Sequence, residues 1–414
     1  MKWRETTLEN IIYIKHGYAF KGEYFAKEGE VIVVTPGNFN ESGGFRIRIG
    51  KEKFYTHSYP EEYLLKKNDL VVAMTEQGEG LLGSAGLVPA DSIFLHNQRI
   101  GLVSVDEKLL YKNFLYYLFN SNYIRQQIRN TSSGSKVRHT SPKRIYGVKF
   151  YLPPLLIQKK IAAILTAYDN IIENNDRRIS LLERSVQEIY NEWFVRMRFP
   201  NYENTKFEKG IPYGWDIVEL KKIASESSNS TKTGDHLSDR KYLPLDIISS
   251  KKFLPLGHYH YTDAKSSLIT FEKGEFIFGA MRPYQHKVVI APFDGITRTT
   301  CFVIKPIEKN YYSFLYLTLF KKTSIDYAML ISNGSDRPYT VWKKGMEKMG
   351  VIKPDILTAK KFNKIVEPML NIISEKYYAQ RKLKSTRDKL SSRLISGKLS
   401  VDDLDIKFPP SMEE

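Results

Sequence analysis

Between Ile161 and Trp193 an apolar side chain returns at every third or fourth position. Stepping alternately by four and three gives Ile161, Leu165, Tyr168, Ile172, Asn175, Ile179, Leu182, Val186, Ile189 and Trp193. Nine of these ten positions are apolar or aromatic, and no Pro or Gly interrupts the run. An amphipathic helix lying on a globular core shows a wider stripe that drifts with the 3.6-residue period. A stripe held to 3.5 residues is the a/d seam of a coiled coil, and it must find another helix. A polar residue on such a seam, here Asn175, fixes register and partner choice at some cost in stability.

The partner is in the same chain, because the chain repeats itself. YKNFLYYLF (111–119) matches YYSFLYLTLF (311–320), and SSGSKVRHT (132–140) matches SNGSDRPYT (332–340), both at an offset of 200. Upstream, LLKKNDLVVAM (64–74) corresponds to ITFEKGEFIFGAM (269–281), and Trp3 and Trp215 each open a half. Downstream, QKKIAAIL (158–165) meets AKKFNKIV (359–366), and Asn-Ile-Ile recurs at 170–172 and 371–373 with the offset now 201. A unit of about 200 residues is far longer than a solenoid repeat and reads as a duplicated domain with its following helix. Carried forward by 201, the seam becomes Phe362, Val366, Met369, Ile373, Lys376, Gln380, Leu383, Arg387, Leu390 and Leu394, of which seven are apolar. The second helix is the natural partner of the first, with Gly397 as its stop. A globular segment begins where one helix ends and finishes where the other begins, which favours an antiparallel pair.

The expected fold is mixed α/β (α+β), with two similar globular domains separated by two long helices that form an antiparallel coiled coil. The boundaries are 1–153, 154–198, 199–354 and 355–400, followed by a tail at 401–414. VIVVTP (31–36), FRIRIG (45–50), DLVVAM (69–74), IGLVSV (100–105), GEFIFGAM (274–281) and TCFVIK (300–305) read as strands. Residues 113–130 and 312–330 read as helices followed by polar, Gly-containing loops.

Composition narrows the function. The only cysteine, Cys301, excludes a disulfide framework and a Cys-based zinc cluster and points to the cytoplasm. The opening MKWRETTLEN has no apolar run, so no signal peptide is expected, and no stretch approaches the length of a membrane span. The formal net charge is +17. It is uneven: residues 1–154 carry 21 basic against 15 acidic residues and 198–354 carry 24 against 16, whereas 155–197 balances six against six. Two basic regions flanking a neutral rod suit a polyanion held at two places.

The loop NTSSGSKVRHTSPKR (130–144) offers Lys136, Arg138, His139, Lys143 and Arg144; its counterpart offers Arg337, Tyr339, Lys343 and Lys344. Small residues let backbone approach phosphate, and Arg or Lys can bridge guanine O6 and N7 in a major groove. A second pair of segments, EQGEGLLGSAG with HNQR and MRPYQHK with TRTT, adds Arg99, Arg282, Tyr284 and Arg298 as DNA-binding candidates. His258 and His260 in GHYHYTD have no carboxylate or Cys companion and read as strand residues rather than metal ligands. A phosphate-binding Gly-rich loop of the G-x-x-x-x-G-K-[ST] type is missing, as is the Asn/Asp-Pro-Pro-aromatic tetrapeptide of amino-methyltransferases. The chain reads as a binding subunit with no catalytic centre of its own.

Several of these segments resemble the specificity (S) subunit of type I restriction-modification enzymes. FYLPPLLIQKKIAAIL (150–165) is similar to that family's proline-to-helix junction, LISGKL (394–399) to the end of its second helix, and GAMRPY…GITRTTCFVI (279–304) to its target-recognition domains. The second junction, KPDILTAKKF, departs by lacking the double Pro and the Gln. The resemblance implies that each globular half reads one half of a bipartite duplex DNA target. It implies that the helices space the readers and dock two methyltransferase (M) subunits, with restriction (R) subunits joining the complex. S-adenosylmethionine, ATP and Mg2+ would then belong to those partners, and this chain would bind no cofactor. The alternatives are a coiled-coil adaptor without a DNA role, or the specificity subunit of a related type II methyltransferase-nuclease.

From Ile161 to Trp193 is 32 residues, a rod of about 48 Å, or on the order of 14 base pairs of B-DNA. A matched heptad inserted into both helices keeps the a/d register and adds about 10 Å. Methylome sequencing is expected to show both half-sites unchanged and the spacer about three base pairs longer. An unchanged spacer would mean that the helices are not the ruler.

Overall fold

The computed structural model describes residues 3–408 apart from Glu79 and Ser228. Its α-helices are α1 (Lys112–Phe119), α2 (Asn122–Asn130), α3 (Pro142–Tyr146), α4 (Leu155–Tyr190), α5 (Tyr312–Phe320), α6 (Lys322–Leu330) and α7 (Ile356–Ile395). The chain divides into two compact units, Met1–Ile172 with Lys382–Glu414 (unit 1) and Glu173–Arg381 (unit 2). Each unit therefore holds one globular half, part of α4 and part of α7.

In unit 1, Arg4–Thr7 pairs antiparallel with Lys149–Leu152. A four-stranded sheet runs in the order Ile12–His16, Ile100–Val105, Leu70–Ala73, Ala85–Leu87, and a second in the order Phe25–Ala26, Phe54–Tyr55, Val31–Val33, Phe94–Leu95. Unit 2 repeats the plan: Asp216–Glu219 pairs with Gly350–Lys353, and Ala224–Glu226, Cys301–Pro306, Phe276–Gly279 and Val288–Ile290 form the matching sheet. Its second sheet keeps the parallel pair, Lys241–Tyr242 beside Gly295–Arg298, but extends it on the other edge through Leu268–Phe271 and Ser230–Thr231.

The strand Leu70–Ala73 shows why the first sheet forms where it does. Leu70, Val72 and Met74 enter a core with Phe114, Leu118 and Ile145, while Val71 and Ala73 enter another with Ile32, Phe39 and Phe94. A strand covered on both faces needs an unbroken apolar run, which LVVA supplies. Phe276 and Phe278 against Ile277 divide two cores of unit 2 in the same way.

Read end to end, the two sequence segments pair Met74 with Met281, and the structure corrects this by one residue. Thr140 N–H donates to the Met74 carbonyl (2.9 Å) and Thr340 N–H to the Ala280 carbonyl (3.0 Å). A slip of one residue exchanges the faces of a strand, so the difference decides which of the two cores each side chain enters. Three further expectations change. FRIRIG forms no strand; only Phe45 makes an isolated bridge, to Phe39, because Ile47 and Ile49 point to solvent with no neighbouring strand to pair with. The stretch 113–130 splits into α1 and α2, where Ser121 caps α2 by accepting from Ile124 N–H and donates to Leu118 O. The stretch 312–330 divides likewise at Lys321, which has extended backbone.

The two long helices run antiparallel within each unit. In unit 1, Ile161 and Leu165 share a core with Leu390 and Leu394, Asp169 meets Arg387 at 2.7 Å, and Lys160 donates to Asp402 O at 2.8 Å. In unit 2, Val186 and Trp193 share a core with Phe362, Val366 and Ile373, and the rings of Trp193 and Phe362 lie 5.5 Å apart. Of the seam positions, Ile161, Leu165, Ile172, Val186, Trp193, Phe362, Val366, Ile373 and Leu394 are buried. Tyr168, Asn175, Ile179, Leu182, Ile189, Met369, Leu383 and Leu390 are half-buried.

The double-proline junction is held by Gln158, which is fully buried. Its Oε1 accepts from Tyr111 N–H (2.8 Å), and its Nε2 donates to Leu109 O and Pro153 O (both 2.9 Å). The second junction reaches the same end by other means. Asp355 accepts from Leu357 N–H, Thr358 N–H, Thr358 Oγ1 and Trp215 Nε1, and Asn363 takes Ser313 N–H and Oγ. These donors hold the Asp355 carboxyl below its ordinary range, against the burial that would raise it.

Stepping 18 residues along α7 from Phe362 reaches Gln380, and 18 back from Trp193 reaches Asn175, which places the two polar residues at one level of the seam. Gln380 is buried and its Nε2 finds no hydrogen-bond partner among the described residues. An unsatisfied buried amide costs about 1–3 kcal/mol. Gln380→Met, which keeps the volume and removes the orphan donor, is therefore expected to raise the thermal unfolding temperature; a fall would show that the amide is satisfied by water.

Candidate nucleic-acid interface

Each unit gathers three sequence-distant segments at the end of its first sheet. In unit 1, Arg138 pairs with Glu76 and His139 with Thr75, in antiparallel register. Met74 N–H donates to Arg99 O at 3.0 Å, which brings Arg99 to the same place. Ser133 and His139 exchange backbone hydrogen bonds (3.0 and 2.8 Å), closing the loop that carries Lys136 at its exposed tip. Gly134 sits at φ +94°, where a Cβ would lie 2.0 Å from Val137 O, so this tight loop needs glycine there. Arg144 on α3 donates to Ser133 Oγ (2.8 Å) and His139 O (3.3 Å), bracing the loop from behind. Lys143 is exposed on the same short helix.

Unit 2 repeats the cluster with other side chains. Arg282 N–H donates to Pro338 O (2.7 Å), and Ala280 N–H donates to Thr300 O (2.9 Å), two residues from exposed Arg298. Asn333 and Tyr339 exchange backbone bonds as Ser133 and His139 do. Arg337, Tyr339 and Tyr284 are exposed. Lys343 and Lys344 are exposed as well. Lys343 lies near Glu226, whose carboxyl is raised by burial and pulled down by that lysine, and Lys344, at φ +59°, donates its N–H to Glu347 Oε1. His258 Nδ1 faces Tyr259 O and His260 Nδ1 faces Thr262 Oγ1, and among the described residues no cluster of metal-ligating side chains occurs.

The two clusters differ at one position in a way the sequence did not signal. Glu76 stands where Arg282 stands. Glu76 is buried, and its Oε2 accepts from the N–H groups of Gly80, Leu81 and Leu82 at 3.1, 3.0 and 2.9 Å. Arg125 ties the same loop to a neighbouring one by donating to Gly80 O and Glu41 O. Arg282 instead adopts left-handed backbone at φ +52°, and its Nε is buried without a hydrogen-bond partner among the described residues. Non-glycine residues held there cost about 1–3 kcal/mol and collect at functional sites.

Residues 1–184 match the family model described as a type I restriction modification DNA specificity domain. That match spans 184 of the chain's 414 residues. Among curated specificity subunits, it is 25% identical to that of the MjaIX type I restriction enzyme of Methanocaldococcus jannaschii over 309 residues, 70% of each chain. It is 22% identical to the MjaVIII specificity subunit of the same organism over 380 residues, 86% of this chain and 85% of that one. The crystal structure of the type I S subunit from M. genitalium shares the fold, with a TM-score of 0.63 at 16% identity over 95% of this chain and 96% of the other. Unit 2 repeats the strand order of the first sheet and the equivalent loop hydrogen bonds.

Glu76→Gln weakens the anchor of the 80–82 loop and is expected to destabilise unit 1 by about 1–3 kcal/mol in denaturant unfolding. Arg282→Ala removes an unpaired group and should leave stability within about 0.5 kcal/mol. Equal losses from both substitutions would refute the asymmetry.

Proposed function

We propose that this chain is the DNA-reading, non-catalytic subunit of a cytoplasmic type I restriction-modification enzyme, and that it recognises a bipartite duplex target with one half-site per unit. The observation that carries this reading is the duplicated cluster. The same sheet end in both units presents exposed cationic and aromatic side chains on loops braced by the same backbone bonds. Similar scaffolds with different side chains, His139 against Tyr339 and Glu76 against Arg282, suit two half-sites of different sequence. The catalytic chemistry, with S-adenosylmethionine, ATP and Mg2+, belongs in this reading to methyltransferase and restriction partners.

A second duplicated feature supports two copies of the methyltransferase partner. Leu156 (56% exposed) and Ile171 (49%) on α4 have counterparts at offset 201 in Leu357 (67%) and Ile372 (41%) on α7. Ile164 and Ile365 complete the two stripes, and Ile365 is 45% exposed. Residues 8 and 15 positions apart fall within about 80° of one helix face. These stripes lie outside the seam, and one belongs to each unit. Repeated apolar patches on one chain fit repeated copies of one partner.

Co-expression with the methyltransferase subunit, followed by native mass spectrometry and methylome sequencing, tests both statements. Wild type is expected to hold two methyltransferase subunits and to methylate a split motif, with binding that weakens steeply as salt rises. Leu156→Ser with Ile171→Ser should lose one copy, and Leu357→Ser with Ile372→Ser the other. A continuous motif would overturn the bipartite reading, and full occupancy in both double variants would overturn the stripes.

A further inference from the structure

We infer that an arm on each unit reads thymine through its C5-methyl group, using Ile47 and Ile49 in unit 1 and Leu256 in unit 2; this rests on the DNA-reading role proposed above. In unit 1 the strands Val31–Val33 and Phe94–Leu95 run parallel, so their C-terminal ends leave the sheet on the same side. One end continues into Asn97–Arg99, part of the candidate interface. The other enters the 3-10 turn Pro36–Asn38 and then the loop closed by the Phe39–Phe45 bridge. That loop leans on the interface as well, since Gly44 N–H donates to Ala85 O and Ser84 Oγ to Asn40 O.

The segment that follows, Arg46-Ile47-Arg48-Ile49, belongs to no strand yet is firmly held. Arg46 N–H donates to Asn38 O (2.8 Å), Arg46 Nε donates to Gly37 O (2.9 Å), and Asn38 Nδ2 donates to Arg46 O (3.2 Å). Asn38 is itself fixed by accepting from Thr35 N–H at 2.9 Å. The braced arm leaves Ile49 91% exposed and Ile47 52% exposed. Aliphatic side chains held in water are unfavourable unless a partner covers them. The surroundings choose that partner. Arg46 and Arg48 alternate with the isoleucines and Lys51 and Lys53 follow them, against the single acid Glu52. A major groove offers this combination, with phosphates along its rim and the methyl of thymine as the apolar group on its floor.

Unit 2 builds an arm at the same place from other residues. Its parallel pair is Lys241–Tyr242 with Gly295–Arg298, and the former leads into the 3-10 turn Leu245–Ile247. Leu256 N–H donates to Ile247 O at 2.9 Å, as Arg46 N–H does to Asn38 O, and Leu256 is 71% exposed. Ser250 Oγ donates to Gln285 O and Lys251 N–H to His286 O, tying this arm to the loop of Arg282 and Tyr284. An exposed aliphatic therefore stands beside the candidate interface in both units, on backbone fixed by an equivalent hydrogen bond.

The test uses the full chain assembled with its methyltransferase partners and a fluorescent duplex carrying the methylated motif. In matched duplexes deoxyuridine replaces thymine in one half-site at a time, which deletes only the methyl group. Wild type is expected to bind the substituted duplexes about three- to fivefold more weakly. Ile47→Ala with Ile49→Ala should abolish that difference in the unit 1 half-site alone, and Leu256→Ala in the other alone. Thermal unfolding of the variants should match wild type, because these side chains contact water. Indifference of wild type to deoxyuridine, or variants that keep the full difference, would overturn the inference. Failure of wild type to prefer the motif over a scrambled duplex would instead overturn the DNA-reading role, and this inference with it.

Discussion

Each unit's core is closed by a helix from a distant part of the chain, and the rest of the structure depends on that closure. Unit 1 takes Leu394, Ile395 and Val401 from the far end of the sequence into the core that holds Ile161 and Leu165. Unit 2 takes Val186 and Tyr190 from the end of α4, and Trp193 from the turn just after it, into the core that holds Phe362 and Val366. Trp3 lies against Gly397, where a Cβ would come within 3.2 Å of the indole and the φ of +72° favours glycine. The stripe on α4 is thus part of the interior of both units, which is why it tolerates so few polar residues. Where it does carry one, Asn175, the opposing level of α7 carries Gln380.

Duplication preserved the backbone plan and let the side chains that stabilise it change. Gln158 buries a fully satisfied amide under the first junction; Asp355 and Asn363 share that task under the second. Tyr117 donates to Asp169, which also receives Arg387, fixing α1 to both long helices in unit 1. In unit 2 the corresponding anchor is the hydroxyl pair of Tyr190 and Thr318. Buried polar groups demand partners, but the demand is for satisfaction, not for particular residues. The loops then diverged most, as expected of surfaces placed by a rigid scaffold. Glu76 turned inward to hold its own loop, and Arg282 at the equivalent point did not.

The sequence by itself determined the long helices, their seam and the duplication, because periodicity is a direct record of which face of an element is buried. It also determined the central strands, since LVVA and the runs at 276–279 and 301–306 are apolar on both faces and suit only a covered sheet. The candidate loops were visible as repeated Gly-Ser segments rich in cations. What only the tertiary structure decided is which distant segments meet. The pairing of Arg138 with Glu76 joins residues 62 positions apart through backbone bonds that any side chains could make. The equivalence of Ala280, not Met281, to Met74 is a matter of strand register, which similarity of residues does not encode. FRIRIG alternates like a strand, yet no neighbouring strand offers it a ladder, so its isoleucines face water. Periodicity says that a face needs cover; only the assembled chain says what covers it, and where nothing does.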